Sequence, residues 1–284
     1  MAKVLIPLPS LDFDPTEAAV SWDMLTRAGH EVSFATPDAR PAEGDPLMLT
    51  GEGLDPWGRV PGLAKFKLAG LLLRADARGR SAYARMAAAR AFRAPAAWED
   101  IDIAAYDGLL LPGGHRARGM RSYLESPVLQ NCVVEAFRRA MPVAAICHGV
   151  VLAARAIDPA TGRSVLYGHA TTALTWSLES AAARLARVTR FWDPTYYRTY
   201  VEEPGEPPGY RGVEAEVTRA LVTPDDFHDV DPTDPDSFRK TSGLFRDAPG
   251  DARPAFVVCD RNYVSARWPG DAHTFARTFA TLLD

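Results

Sequence analysis

Val143-Ala144-Ala145-Ile146-Cys147-His148-Gly149-Val150 is an apolar run that ends on a cysteine, followed at once by a histidine, a glycine and more apolar residues. This is the pattern of a buried strand entering a tight turn and then a helix, with a thiol at the apex. A residue at such a turn is held in a strained backbone conformation, with its side chain at the carboxyl edge of the sheet. The N–H groups and positive dipole end of the following helix lie just behind it. Both features are expected to favour thiolate, the form that attacks carbon. Ala145 and Gly149, two positions to either side of Cys147, are small enough for the close backbone approach an elbow requires.

Working outward from this run, strands and helices alternate. Lys3 to Leu8 reads as a buried strand. Asp14-Pro15-Thr16-Glu17 opens a helix with Asp at N-cap, Pro at N1 and Glu at N3, and Gly29 ends it. His30 to Ala35 is a second strand, expected to run parallel to the first. Tyr106 to Leu111 is a strand ending in Pro112-Gly113-Gly114-His115. A helix from Met120 or Pro127 to Arg139 precedes the strand Pro142 to Ile146. Val165 to Ala173 reads as strand and loop, Leu174 to Arg187 as helix, and Ala255 to Ser265 as a hairpin with Arg261-Asn262 near its turn. Asp271 to Leu283 is a closing amphipathic helix with Asp271 as its N-cap. Two stretches leave this rhythm. The first, about 40–100, carries a helical part from Leu63 to Arg93. The second, about 189–254, is loop-rich with a helical or strand-like island at Val213 to Leu221. The expectation is an α/β chain, residues 1–284 forming a single domain: one doubly wound, mostly parallel sheet with helical and loop insertions.

Composition narrows the classes of function. Over 284 residues the chain is 47% hydrophobic and 24% charged, with a net charge of −4, which gives no electrostatic footprint for nucleic acid. No apolar run approaches the length of about 18 residues that a membrane span needs, and the first residues lack the apolar core of a signal peptide. The three cysteines, at 132, 147 and 259, form neither a disulfide framework nor a CxxC pair, and point to a reducing, cytoplasmic setting. Metal binding fits poorly, because adjacent Cys147 and His148 cannot easily chelate one ion. No glycine run continues into the Lys-Ser/Thr of a phosphate loop.

Ala145-Ile146-Cys147-His148-Gly149 resembles the nucleophile elbow of the ThiJ/PfpI family, within the class I glutamine amidotransferase-like superfamily. Leu111-Pro112-Gly113-Gly114-His115 is similar to the glycine turn before that elbow. Asn262-Tyr263-Val264-Ser265-Ala266-Arg267-Trp268-Pro269-Gly270-Asp271 is similar to the family's C-terminal signature. The PGGH form and the insertions look most like the larger chaperone/glyoxalase III branch. The resemblance implies a flavodoxin-like three-layer sandwich, a homodimer and a small-molecule substrate, with no cofactor, although some members carry zinc beside the elbow. It also implies catalytic roles for Cys147, for the His148 side chain as base, and for Glu17 against the thiol. Each of these has a second reading from the residues alone. Cys147 reads equally as a small core residue and Glu17 as the acid of a capping box. The backbone N–H groups of His148 and Gly114 are the candidate oxyanion donors. His115, Gly113 and Trp268 are candidates for substrate contact, set against loop filling or a structural corner.

The resemblance implies a glutathione-independent, glyoxalase III-like conversion of a 2-oxoaldehyde to a 2-hydroxy acid. Two alternatives stand beside it: an amidase, hydrolase or isonitrile hydratase-type hydration, and a redox-sensing or chaperone-like stress protein. Trp268-Pro269-Gly270 stands where amidotransferases of the superfamily carry a His-Pro-Glu histidine, which argues against glutamine hydrolysis in their manner.

Overall fold

A computed structural model describes residues 1–284. Seven strands form the central sheet: β1 Lys3–Pro7, β2 Glu31–Thr36, β3 Ala96–Ala97, β4 Gly108–Leu111, β5 Val143–Ile146, β6 Val257–Asp260 and β7 Tyr263–Ala266. Their order across the sheet is β6-β7-β5-β4-β1-β2-β3. Every neighbouring pair is parallel except the β6–β7 hairpin.

The strand residues alternate between two cores, as a period of two requires. Val4, Ile6, Leu110, Ala144 and Ile146 face one side. There they pack with α1 (Pro15–Arg27), α2 (Ala77–Ala88) and α8 (Ala272–Leu283). Leu5, Leu109, Leu111, Val143 and Ala145 face the other. Their neighbours are α3 (Ala117–Leu124), α4 (Pro127–Arg138), α5 (Gly149–Arg155) and α7 (Val213–Arg219). The result is a doubly wound three-layer α/β sandwich. Strand order turns back between β1 and β4, and the crevice at the carboxyl ends of strands around such a switch point is where ligands bind in this architecture. The remaining long helix, α6 (Trp176–Thr189), is started by the Thr175 side chain, which accepts from the Leu178 N–H.

Four expectations are corrected. The edge strand Ala96–Ala97 lies in the stretch read as a helical insertion and pairs with β2 through Ala35 and Thr36; two alanines carry no alternation to read. The helix before β5 is two helices, because Ser126 caps a new one whose first residue is Pro127. Val165–Ala173 holds no strand; the local pairing is a short hairpin of Ile157–Asp158 with Arg163–Ser164. Asp271 does not cap the last helix. Its carboxylate instead forms a fully buried pair with Arg267 at 2.9 Å and accepts the Arg267 and Phe256 N–H groups.

The cap on α8 comes from a distant loop. Asp247 accepts from His273 N–H at 3.1 Å and from Thr274 N–H at 2.6 Å. Asp247→Ala is therefore expected to lower stability by about 0.5–2 kcal/mol, measured as a shift in the urea midpoint. An unchanged midpoint would mean that the helix end needs no partner. No helix is long and apolar enough to cross a membrane.

Candidate active site

The carboxyl ends of β1, β4 and β5 bring three sequence segments together: the start of α1, the Pro112-Gly113-Gly114 turn and the Cys147 elbow. Cys147 adopts φ 57°, a left-handed conformation that is costly for a residue with a side chain. It is stabilised from behind: the Cys147 N–H donates to Ala266 O at 3.0 Å. The helix behind the elbow sits so close to β4 that a Cβ at Gly149 would stand 2.0 Å from the Leu111 carbonyl oxygen. Only glycine allows this approach.

Glu17 turns away from the helix it starts. In a capping box its carboxylate would accept from the Asp14 N–H, but that N–H donates to Gly113 O at 2.8 Å. The Gly113 N–H donates in turn to Glu17 Oε2 at 2.7 Å. The capping is done by Asp14 Oδ1 alone, which accepts from the Thr16 and Glu17 N–H groups at 2.8 and 3.0 Å. Glu17 Oε1 is buried without a partner. A Cβ at Gly113 would stand 3.0 Å from Cys147 Cβ and from Glu17 Oε2, and 2.7 Å from the His148 nitrogen. The acid, the thiol and the turn therefore meet at one glycine. The Gly113 N–H and carbonyl are both engaged at the start of α1, by the Glu17 carboxyl and the Asp14 N–H.

His148 lies with Nδ1 3.4 Å from Cys147 Sγ and Nε2 2.9 Å from Thr199 Oγ1. The Thr199 hydroxyl also contacts the His115 carbonyl oxygen at 2.8 Å. A carbonyl only accepts, so the single hydroxyl proton goes to His115 O. Thr199 then accepts from His148 Nε2–H, and the Nδ1 lone pair faces the thiol. The two expected oxyanion donors, the N–H groups of His148 and Gly114, have no backbone acceptor, and that of His148 bears on the Cys147 sulfur.

Burial governs the protonation states. It pushes the Cys147 thiol well above its usual range, Glu17 and Asp14 push it further, and the His148 N–H pulls the other way. The thiolate expected from the elbow therefore gives way to a thiol in the empty site. A short helix and one N–H do not offset the desolvation of a charge. Glu17 is also pushed well up, by burial and then by Asp14, which favours its neutral form. His148 is pushed down to about 3 by burial, with His115, Arg155 and Arg198 adding to it. Asp14 is raised to about 6, again chiefly by burial.

Above the thiol lies a cavity of about 220 Å³ lined by Glu17, Gly114, His115, Cys147, Arg246 and Trp268, with an apolar wall from α6. His115 packs against the rings of Tyr196 and Tyr197, centroids 4.8 and 4.5 Å away, and the two tyrosines touch each other at 4.7 Å. Its Nε2 has no hydrogen-bond partner and lies 3.8 Å from Asp45 Oδ2. Cys147, His148, Glu17, Gly114, His115 and Trp268 thus converge, while His273 faces a separate surface groove beside Asp23 and Arg27. No group of three or more His, Cys, Asp or Glu side chains converges to hold a metal ion.

Thr199, Arg246, Tyr197 and the apolar face of α6 escaped the sequence reading. Leu178, Ala182 and Leu185 do stand at helical spacing, but spacing alone does not say whether such a face meets a core or a cavity.

No curated protein matches the chain by sequence. Among solved structures it is similar to the 24 kDa Rapid Encystment Protein of Francisella tularensis, with 13% identity, 100% of both chains covered and a TM-score of 0.58. It is also similar to glyoxalase III of Candida albicans, with 17% identity, 100% of this chain and 98% of that one covered and a TM-score of 0.54. Drosophila melanogaster DJ-1beta matches at 13% identity, with 100% of this chain and 91% of that one covered and a TM-score of 0.51. At these identities the likeness concerns the fold. The profile described as ThiJ/PfpI family-like matches residues 8–206, and on that match the chain belongs to the ThiJ/PfpI family.

Proposed function

We propose that the chain is a cofactor-independent enzyme in which Cys147 adds to the carbonyl carbon of a small electrophilic substrate, in the manner of a glyoxalase III. The observation that carries this reading is the placement of Cys147 Sγ at positive φ, between the lone pair of His148 Nδ1 and the protonated carboxyl of Glu17. A structural thiol needs neither partner.

The proposed sequence begins from neutral groups. As Sγ bonds to the aldehyde carbon, its proton passes to His148 Nδ1, so that no separated thiolate and imidazolium stand in a dry cavity. The carbonyl oxygen takes the negative charge between the N–H groups of Gly114 and His148 and is then protonated from His148, giving a hemithioacetal. His148, neutral again, takes the C1 proton and leaves an enediolate. Return of that proton to C2, with the proton of the C1 hydroxyl passing to the C2 oxygen, gives a 2-hydroxy thioester, which water cleaves to the 2-hydroxy acid and the free thiol. Glu17 donates a hydrogen bond at the sulfur whenever it carries negative charge. Net, one 2-oxoaldehyde and one water give one 2-hydroxy acid, with no hydride carrier. The fold shared with glyoxalase III of Candida albicans is consistent with this chemistry.

The test is lactate release from methylglyoxal, or the corresponding 2-hydroxy acid from a larger 2-oxoaldehyde, without glutathione. Absence of turnover across a panel of such aldehydes would overturn the reading. A cytoplasmic homodimer is part of the proposal on family grounds, and light scattering of the purified protein tests the dimer.

Thr199 is a positioning residue in this scheme. Thr199→Val removes the acceptor for Nε2–H and is expected to lower kcat/KM by about 10- to 100-fold, part of the 10²–10⁴ that general acid–base catalysis supplies. Thr199→Ser should restore it. Equal activity in the valine variant would remove Thr199 from the mechanism.

A further inference from the structure

We propose that the substrate of this site carries a carboxylate apart from its reacting carbon, held by Arg246, and an apolar segment that lies along α6. The proposal rests on the reading of Cys147 as the reacting group.

Arg246 is only partly buried as a residue, but it differs from the buried arginines in its partners. Arg267 is paired with Asp271 at 2.9 Å, Arg198 with Glu179 and Glu202 at 3.0 and 2.6 Å, and Arg190 with Asp193 at 2.8 Å. Arg246, in the wall of the cavity over Cys147, has no carboxylate partner. Its Nη1 is buried without any acceptor, and its Nη2 reaches only the Leu73 and Arg74 carbonyl oxygens, at 3.4 Å each. A guanidinium keeps its charge, and a buried unpaired charge is costly. The planar fork of donors is matched best by a carboxylate.

The surroundings hold the group in place without neutralising it. The Arg246 Cζ lies 5.4 Å from the centroid of the Trp268 ring, a cation–π contact that positions the guanidinium. Three acidic residues line the same cavity, and none satisfies Arg246. Asp14 Oδ1 accepts from two N–H groups at the start of α1, Glu17 is bound to the Gly113 N–H, and Glu179 is paired with Arg198. The charge of Arg246 is felt at Asp14 and Tyr197, so its field reaches into the cavity.

The second half of the ligand is read from the wall. Leu178, Ala182 and Leu185 form one half-buried face of α6 that lines the cavity, with Ala182 also packed against the small core of Met48, Leu54, Tyr196 and Tyr197. Leu72 and Leu244, 57% and 53% exposed, continue that face at the mouth. A three-carbon aldehyde would leave this surface wet; an aliphatic or aromatic segment covers it.

Binding of unreactive probes separates this proposal from the catalytic one. Calorimetric titrations of the wild-type protein with hexanoate, hexanamide and acetate are expected to give hexanoate an affinity at least about tenfold above either of the others, each tenfold being 1.4 kcal/mol. Arg246→Met should remove the preference for hexanoate over hexanamide while leaving hexanamide unchanged, and Arg246→Lys should retain part of it. Leu185→Asp should bring hexanoate down to acetate. Equal binding of hexanoate and hexanamide, no binding of any carboxylate, or unchanged hexanoate affinity in Arg246→Met would overturn the carboxylate. Equal binding of acetate and hexanoate would overturn the apolar segment. Turnover of 2-oxoaldehydes without carboxylate binding would sink this proposal and spare the catalytic reading; hexanoate binding through Arg246 in a protein without turnover would do the reverse.

Discussion

Cys147→Ser is expected to lower kcat/KM toward a 2-oxoaldehyde by about 10³-fold or more, the scale on which enzymes lose activity when a covalent nucleophile is replaced. The substitution is nearly isosteric, and serine is no more strained than cysteine at φ 57°, so the elbow keeps its shape. The hydroxyl still reaches His148 Nδ1, but an alkoxide is far harder to form than a thiolate in a cavity where burial already pushes the thiol well up. The comparison is read from initial rates of the two proteins at matched folded concentration, with circular dichroism to confirm the fold. Retained turnover would move the chemistry away from Cys147. Because the resting group is a buried thiol, iodoacetamide should modify it slowly in the empty site, and fast modification at neutral pH would contradict the neutral pair described above.

Glu17→Gln should separate activity from stability. In the folded protein the Glu17 carboxyl titrates well above its usual range because of burial and Asp14. Such a group supports the fold fully at pH below its unfolded value and loses that support as pH rises through the folded value. At neutral and alkaline pH the glutamate therefore costs stability that a glutamine does not. Glutamine keeps an oxygen for the Gly113 N–H, which now reaches Oε2 at 2.7 Å, so the melting temperature of Glu17→Gln should exceed that of the wild type above pH 7 and converge with it at about pH 4, near the ordinary carboxylate range. Activity should fall by about 10²–10⁴-fold, as when a general acid is removed. A capping role would give the opposite pattern, a loss of roughly 1 kcal/mol with activity intact. An ordinary stability–pH profile in the wild type, with no excess for the glutamine variant, would mean that the carboxyl is hydrated and ionised.

Much of the fold is legible because the central strands carry their own apolar runs and α1, α4 and α6 their own start signals. Val4-Leu5-Ile6, Leu109-Leu110-Leu111 and Val143-Ala144-Ala145-Ile146 are buried on both faces and read as apolar runs. Asp14-Pro15 and Gly29 bracket α1 within one residue of its observed ends. The elements that escaped are those whose existence depends on a neighbour: the two-alanine edge strand, which pairs only because β2 is there, and the cap on α8, whose acceptor is Asp247, 26 residues upstream of His273 in a separate loop. Asp271 has the right residue type in the right place for a cap, but Arg267 competes for it and wins. The buried guanidinium has only Lys240 and Pro254 carbonyl oxygens besides that carboxylate.

The sequence by itself determined the architecture, the elbow and the set of residues at the carboxyl ends of three strands, because these rest on periodicity, glycine positions and helix-start chemistry that act over a few residues. Only the tertiary structure decided what those residues are. Glu17 binds the Gly113 N–H rather than capping its helix, and burial favours the neutral form of both Glu17 and Cys147. His148 is oriented by Thr199, 51 residues away in sequence, and Arg246 waits in the wall without a partner. Protonation, tautomer and the presence or absence of an ion pair depend on how much water and which charges surround a group. That environment is assembled from segments far apart in the chain, so no local pattern carries it.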